Sequence, residues 1–177
     1  ELRLVGSEMC IRDRYIHYGV REHGMAAIMN GIAATKIYKT YSGTFLSFAD
    51  YMKPSLRLAA LMKIDPIQVF THDSIGLGED GPTHQPIEQI NMLRLIPNSY
   101  VFRPCDLKET IVCWKEALKI DNAPSFICLS RQNLPQISNK KLVSKNFKGA
   151  YVISGPKKNN DITIIATGSE VSLAVNI

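Results

Sequence analysis

The stretch from Thr71 to Pro86, THDSIGLGEDGPTHQP, sets two histidines, two aspartates and a glutamate among glycines and prolines, between two apolar segments. An ordinary connecting loop needs no such inventory. Gly76, Gly78 and Gly81 give the backbone conformations closed to other residues, so a loop built this way can aim its side chains at a small polar ligand. His72 and His84 lack the short helical spacing of a metal-binding pair, and no cysteine accompanies them. Imidazoles and a carboxylate converging on hydroxyls suit a sugar better than a metal ion, with His72, Asp73, Asp80 and His84 placed together at the carboxyl edge of the sheet.

Three other places carry residues of chemical interest. Glu22, in YGVREHGM, falls where a strand is expected to give way to a helix. It is either a first-turn carboxylate favoured by the helix dipole or, in a desolvated pocket, a partner that shares a proton with a weakly basic heteroaromatic nitrogen. Phe45, Phe48 and Tyr51, in TFLSFADY, stand at i, i+3 and i+6 on one expected helical face. That stripe is either core or a platform for a planar cofactor, since aromatic pairs gain about 0.5–1.5 kcal/mol beyond area burial. Arg131 follows the expected strand SFICLS, where its guanidinium can cap a helix, pair with an acid or hold a phosphate bidentately.

The elements that must position these residues follow from periodicity. Short apolar runs, IHYGV, IYKTY, PIQVF, SYVF and SFICL, alternate with longer helical patterns, EHGMAAIMNGIAAT, TFLSFADYMKPSLRLAALMK, PIEQINMLRLI and DLKETIVCWKEALKI. This alternation predicts an α/β fold, a doubly wound, mostly parallel sheet with helices on both faces. In such folds ligands bind at the carboxyl ends of the strands, where all the candidate residues fall. Pro54 is expected to kink or divide its helix. Leu107, Ile111, Trp114 and Leu118 repeat at helical spacing and predict one buried stripe.

The pattern lapses in the polar, lysine-rich stretch between Arg131 and Gly149. Residues 15–135 are therefore expected to form the first domain, 136–149 a linker, and 150–177 the first unit of a second α/β domain, with AYVIS and DITIIAT as strands and GSEVSLAVNI as a helix. The chain is expected to stop inside that second domain. Residues 1–14, ELRLVGSEMCIRDR, have neither period; they are either a native surface arm or foreign sequence from cloning or assembly, and carry no fold assignment.

Composition narrows the class. At 177 residues, 45% hydrophobic and 21% charged, the chain reads as soluble and globular, and no apolar run approaches the roughly 20 residues of a membrane span. Its net charge of +5 owes much to Lys140, Lys141, Lys145, Lys148, Lys157 and Lys158, which read as a solvated linker region rather than a nucleic-acid patch. Cys10, Cys105, Cys113 and Cys128 show no CxxC spacing and read as reduced thiols of a cytosolic protein.

Taken together, YIHYGVREHGM, TFLSF, THDSIGLGEDGPTHQP, RPCD, SRQNLPQ and IATGSEVSLA closely resemble the transketolases, in the family's order and spacing from Tyr15 to Ile177. The resemblance is to the pyrimidine-binding domain of the thiamine diphosphate-binding fold, followed by the start of the C-terminal domain. It implies transfer of a two-carbon ketol unit from a ketose phosphate to an aldose phosphate, in the pentose phosphate pathway of the cytoplasm. It further implies that Glu22 is catalytic, binding the pyrimidine ring nitrogen and promoting its imino tautomer, and that Phe48 stacks on that ring with Phe45 and Tyr51 completing the pocket. His72, Asp80, His84 and Arg131 match contacts to substrate hydroxyls and phosphate. The family's diphosphate and its divalent metal, Mg2+ or another cation, sit on a separate N-terminal domain whose GDG motif this sequence lacks. The implied assembly is a homodimer of the full-length enzyme or a pairing with an N-terminal transketolase subunit, and the 177-residue chain alone is expected to be inactive. Dihydroxyacetone synthase, with the same cofactor and a different acceptor, and a noncatalytic transketolase-like binding partner are the alternatives.

Overall fold

The computed structural model describes residues 15–137, 149–155 and 161–177. The readings of residues 1–14, of most of the linker and of its lysines fall outside the described residues. Among the described residues four strands form, β1 (Tyr41–Phe45), β2 (Ile67–Thr71), β3 (Tyr100–Phe102) and β4 (Ser125–Cys128), in the order β1-β2-β4-β3. Every pairing is parallel, with Phe45 opposite Thr71, Phe70 opposite Cys128 and Phe102 opposite Ile127. Among the described residues five α-helices form, α1 (Glu22–Ala34), α2 (Ala49–Met62), α3 (Gln89–Arg94), α4 (Leu107–Ala117) and α5 (Glu170–Val175).

Strand alternation sorts the core onto two faces, since successive side chains of a strand point to opposite sides of the sheet. Phe70, Phe126 and Cys128 meet Met25, Ala26 and Met29 of α1, Leu56 and Ala60 of α2 and Leu93 of α3. Ile67 and Ile127 point the other way, onto Ala117 and the half-buried Trp114 of α4. The expected open parallel sheet with helices on both faces is therefore the observed one. Asn30 Nδ2 donates to the Ser55 carbonyl at 2.8 Å and ties α1 to α2 within the apolar layer. Asp106 accepts from the Glu109 amide at 3.0 Å and caps α4.

Several expectations are corrected. IHYGV forms no strand: Tyr15, Ile16 and Val20 are exposed, and a turn closes from the Arg21 amide to the Gly19 carbonyl at 3.0 Å. IYKTY contributes only its last residue, because the ladder with β2 begins at Tyr41 and runs on to Phe45. Phe45 thus ends a strand instead of starting a helix. α2 passes through Pro54 undivided; the missing amide removes only the bond to Asp50, in the first turn and on the exposed side. The stripe on α4 holds only at Trp114, which packs on Ile67 and Ile127. Leu107, Ile111 and Leu118 are exposed while Cys113 and Ala117 are buried. The buried face is rotated from the expected one and is made by Cys113, Trp114 and Ala117. AYVIS and DITIIAT form no strands among the described residues; with no ladder partner, Ile162 and Ile165 remain exposed. α5 lies where GSEVSLAVNI predicts a helix.

These burial patterns separate core from surface experimentally. In urea unfolding of the 177-residue chain, Phe126→Ala is expected to cost about 3–5 kcal/mol, whereas Leu118→Ala stays within about 0.5 kcal/mol of the unsubstituted protein.

Candidate ligand site at the carboxyl edge

Parallel pairing brings the ends of β1, β2 and β4 to one edge of the sheet, and the loops leaving them build the site. After β1 the chain makes a 3-10 turn, Leu46–Phe48, before entering α2. Phe45 and Phe48 consequently lie with nearly parallel rings, centroids 5.8 Å apart and planes 7° apart. Tyr51, in the first turn of α2, is 6.1 Å from Phe48 and largely exposed. So the three aromatics meet as the spacing suggested, although strand, turn and helix each supply one.

The loop after β2 brings its histidines onto this shelf. His72 stacks on Phe45 with centroids 3.7 Å apart and planes 20° apart. His84 meets Phe48 edge-on at 5.2 Å and Phe45 at 6.2 Å. Each imidazole has a local hydroxyl partner at Nδ1, Thr71 at 2.9 Å for His72 and Thr83 at 2.8 Å for His84. To lie on Phe45, His72 takes a left-handed backbone with φ 60°, a conformation that costs a residue with a Cβ about 1–2 kcal/mol. Gly78 and Gly81 supply the loop's other left-handed turns, at φ 82° and 79°.

Asp80 is exposed on the same loop, and Arg131 projects from the end of β4 to within 3.6 Å of Glu79. Both partners of that ion pair are well exposed, so the pair is weak and the guanidinium stays available. Burial pushes the His72 imidazole below the ordinary histidine range; the Asp80 charge opposes this and Arg131 reinforces it. Glu22 opens α1 half-buried, and among the described residues no hydrogen bond, ion pair or ring contact joins it to the cluster. Among those residues no three His, Cys, Asp or Glu side chains converge as a metal site.

Sequence reasoning missed Gln132 and Arg103 here, and the buried pairing of Asp73. Gln132 donates from Nε2 to Ser74 Oγ at 3.0 Å and locks the loop after β2 against the chain leaving β4. It packs so near Gly76 that a Cβ there would lie 2.5 Å from its amide, which explains a glycine without positive φ. Asp73 and Arg103 form a buried ion pair, with Arg103 Nε donating to Oδ2 at 2.8 Å. Arg103 also donates to the Thr167 carbonyl at 3.0 Å and hydroxyl at 3.1 Å and pairs with Glu170. Asp73, Ser74, Pro86, Ile90, Arg103 and Glu170 border a cavity of about 220 Å³. RPCD and the Asp73 neighbouring His72 were visible as motifs, but no local spacing pairs one with the other.

An open parallel sheet with an aromatic and imidazole cluster at its carboxyl edge defines an α/β ligand-binding domain. Residues 5–136 match the family described as transketolase, pyrimidine binding domain. A transketolase of Sinorhizobium medicae is 55% identical over 165 residues, 93% of this chain and 24% of that protein. Transketolase 1 of Aliivibrio fischeri is 54% identical over 162 residues, 91% of this chain and 24% of the relative. A mutant transketolase of Pichia stipitis, solved in complex with fructose 6-phosphate, superposes with a TM-score of 0.85 at 53% identity, covering 92% of this chain and 24% of that one. The chain belongs to the transketolase family. It spans about a quarter of the length of these relatives.

The electrostatics of His72 give a signed expectation. Its depressed folded-state value means that the unfolded chain takes up the proton more readily, so this histidine's contribution to stability is full above about pH 6.5 and is lost as the pH falls through the folded value. In an NMR titration the His72 midpoint should lie below that of a free histidine. Asp80→Asn should lower it further and Arg131→Gln should raise it; shifts of the opposite sign would contradict the assignment of these charges.

Proposed function

We propose that this chain supplies the pyrimidine side of a thiamine diphosphate site in an enzyme that transfers a two-carbon ketol unit from a ketose phosphate to an aldose phosphate. The observation that carries this reading is the aromatic shelf of Phe45, Phe48 and Tyr51 joined at the carboxyl edge by His72 and His84. The residues fit the cofactor. Phe48 and Tyr51 leave ring surface accessible to a planar heterocycle, and the Glu22 carboxylate is unengaged among the described residues. The chemistry that thiamine diphosphate supplies when bound is an electron sink beside a carbonyl.

The chain's own residues then divide the remaining work. Glu22 holds a proton at the pyrimidine nitrogen, as only an ionisable acceptor at a helix start can do here. Phe48 orients the ring by stacking. His72 and His84 each keep a ring nitrogen, Nε2, free of the hydroxyl that engages Nδ1, and with Asp80 they bond sugar hydroxyls. Arg131 holds the substrate phosphate, for which its pairing with Glu79 offers little competition. The cofactor's diphosphate and a divalent cation belong to a separate diphosphate-binding domain, contributed by a second copy of the enzyme or by an N-terminal subunit. Residues 150–177 begin a further domain, and the pathway is the pentose phosphate route. A reducing, cytoplasmic setting accords with the free, buried thiols of Cys105, Cys113 and Cys128. Among the described residues no helix is long and apolar enough to cross a membrane.

Two measurements test this. In a full-length transketolase carrying this sequence, Glu22→Gln is expected to lower kcat by at least about 100-fold with an unchanged urea midpoint, because the amide cannot hold the proton; near-normal turnover would sink the assignment. In a coupled assay with xylulose 5-phosphate and ribose 5-phosphate, a polypeptide of only these 177 residues is expected to show no turnover. Activity from that polypeptide would overturn the half-site reading, while restoration by a matching N-terminal domain in trans would support it.

A further inference from the structure

We propose that Arg103 is a positioning residue that holds His72 on Phe45 and fastens the 167–170 turn to the same point. The proposal rests on reading His72 as a substrate contact. Asp73, next to His72, is anchored twice. Its amide donates to the Leu129 carbonyl at 3.1 Å, which extends the alignment of β2 with β4 past the strand ends, and its carboxylate is held by Arg103 Nε at 2.8 Å. His72 lies between this anchor and Thr71, the last residue of the β1–β2 ladder. With both neighbours fixed, the residue between them is confined to the turn in which φ is 60°, and in that turn its ring lies on Phe45.

Arg103 is the part of this anchor that cannot be spared. The Asp73 side chain is 1% exposed and among the described residues its Oδ1 has no hydrogen-bond partner, so of these residues it is Arg103, bonding Oδ2, that compensates the buried carboxylate. Without the guanidinium, Asp73 would be a buried, uncompensated charge, relieved by turning the carboxylate toward solvent. That movement releases the constraint on His72. The other side of Arg103 grips Thr167 and Glu170, and the Gly168 amide donates to its carbonyl at 3.1 Å. Gly168, at φ 60°, leaves room for this grip, since a Cβ there would lie 2.8 Å from Arg103 Nε. Only a planar fork with several donors serves both sides at once.

The test is NMR of the histidine ring protons in the 177-residue chain, with His23 as an internal reference. Stacking on Phe45 shifts the His72 ring protons upfield in the unsubstituted chain. In Arg103→Met that shift is expected to fall by more than about half, and in Glu170→Gln, which leaves the Asp73 bond in place, to persist. Arg103→Lys, which returns a cation beside Asp73, should recover part of it. A folded Arg103→Met chain with the His72 shift intact overturns the proposal. Should that variant fail to fold, hydrogen exchange in the unsubstituted chain decides: the protection factors of the Arg103 Nε–H and the Asp73 amide, each taken against its own free exchange rate, agree within about threefold if one opening frees both, and an Asp73 protection factor about tenfold lower overturns it. These readouts do not depend on activity. A His72→Ala full-length enzyme with an unchanged KM for ketose phosphate would remove the substrate reading and leave the positioning role standing.

Discussion

Parallel pairing of β2 with both β1 and β4 is the constraint on which the rest depends. It sends three strands out of the sheet at one edge, with Phe45 level with Thr71 and Phe70 level with Cys128. The chain segments that follow must turn away within a few residues of one another, and they carry Phe48, His72 and Arg131. An antiparallel partner at either position would place one of these loops at the far end of the sheet. The register is held by burial on both faces, because a slip by one residue would exchange Phe70 and Phe126 with the residues facing α4.

On that edge the polar groups are secured by the aromatic ones. The His72 backbone is strained, yet the ring gains a stacking partner in Phe45, and His84 gains two ring edges. Burial favours the neutral imidazole at His72, with donor and acceptor sites that suit hydroxyls better than a charge would. The exposed charges of Asp80 and Arg131 lie at the rim, where they adjust this balance in opposite directions. Beneath the loop the Asp73–Arg103 pair, extended to Glu170, does for charge what the shelf does for rings, and it connects the sheet to the chain beyond 160.

What the sequence by itself determined was the class of fold and the kinds of residue at its edge. PIQVF, SYVF and SFICL are short apolar runs with strong strand character, and each forms a strand because each finds a neighbour on the ladder. Glu22, Phe48, His72, His84 and Arg131 stood out because their chemical types follow strands or open helices. Tertiary structure alone decided the rest. Strand character in IHYGV, AYVIS and DITIIAT came to nothing without a partner, since a strand is completed by hydrogen bonds to another segment. The exposed face of α4 was indistinguishable from its buried face at the level of spacing; contact with Ile67 and Ile127 chose Ala117 over Leu118. Likewise, the stacking of His72 on Phe45 and the grip of Arg103 on Asp73 join residues 27 and 30 positions apart in the chain, and only the parallel register brings such pairs within contact.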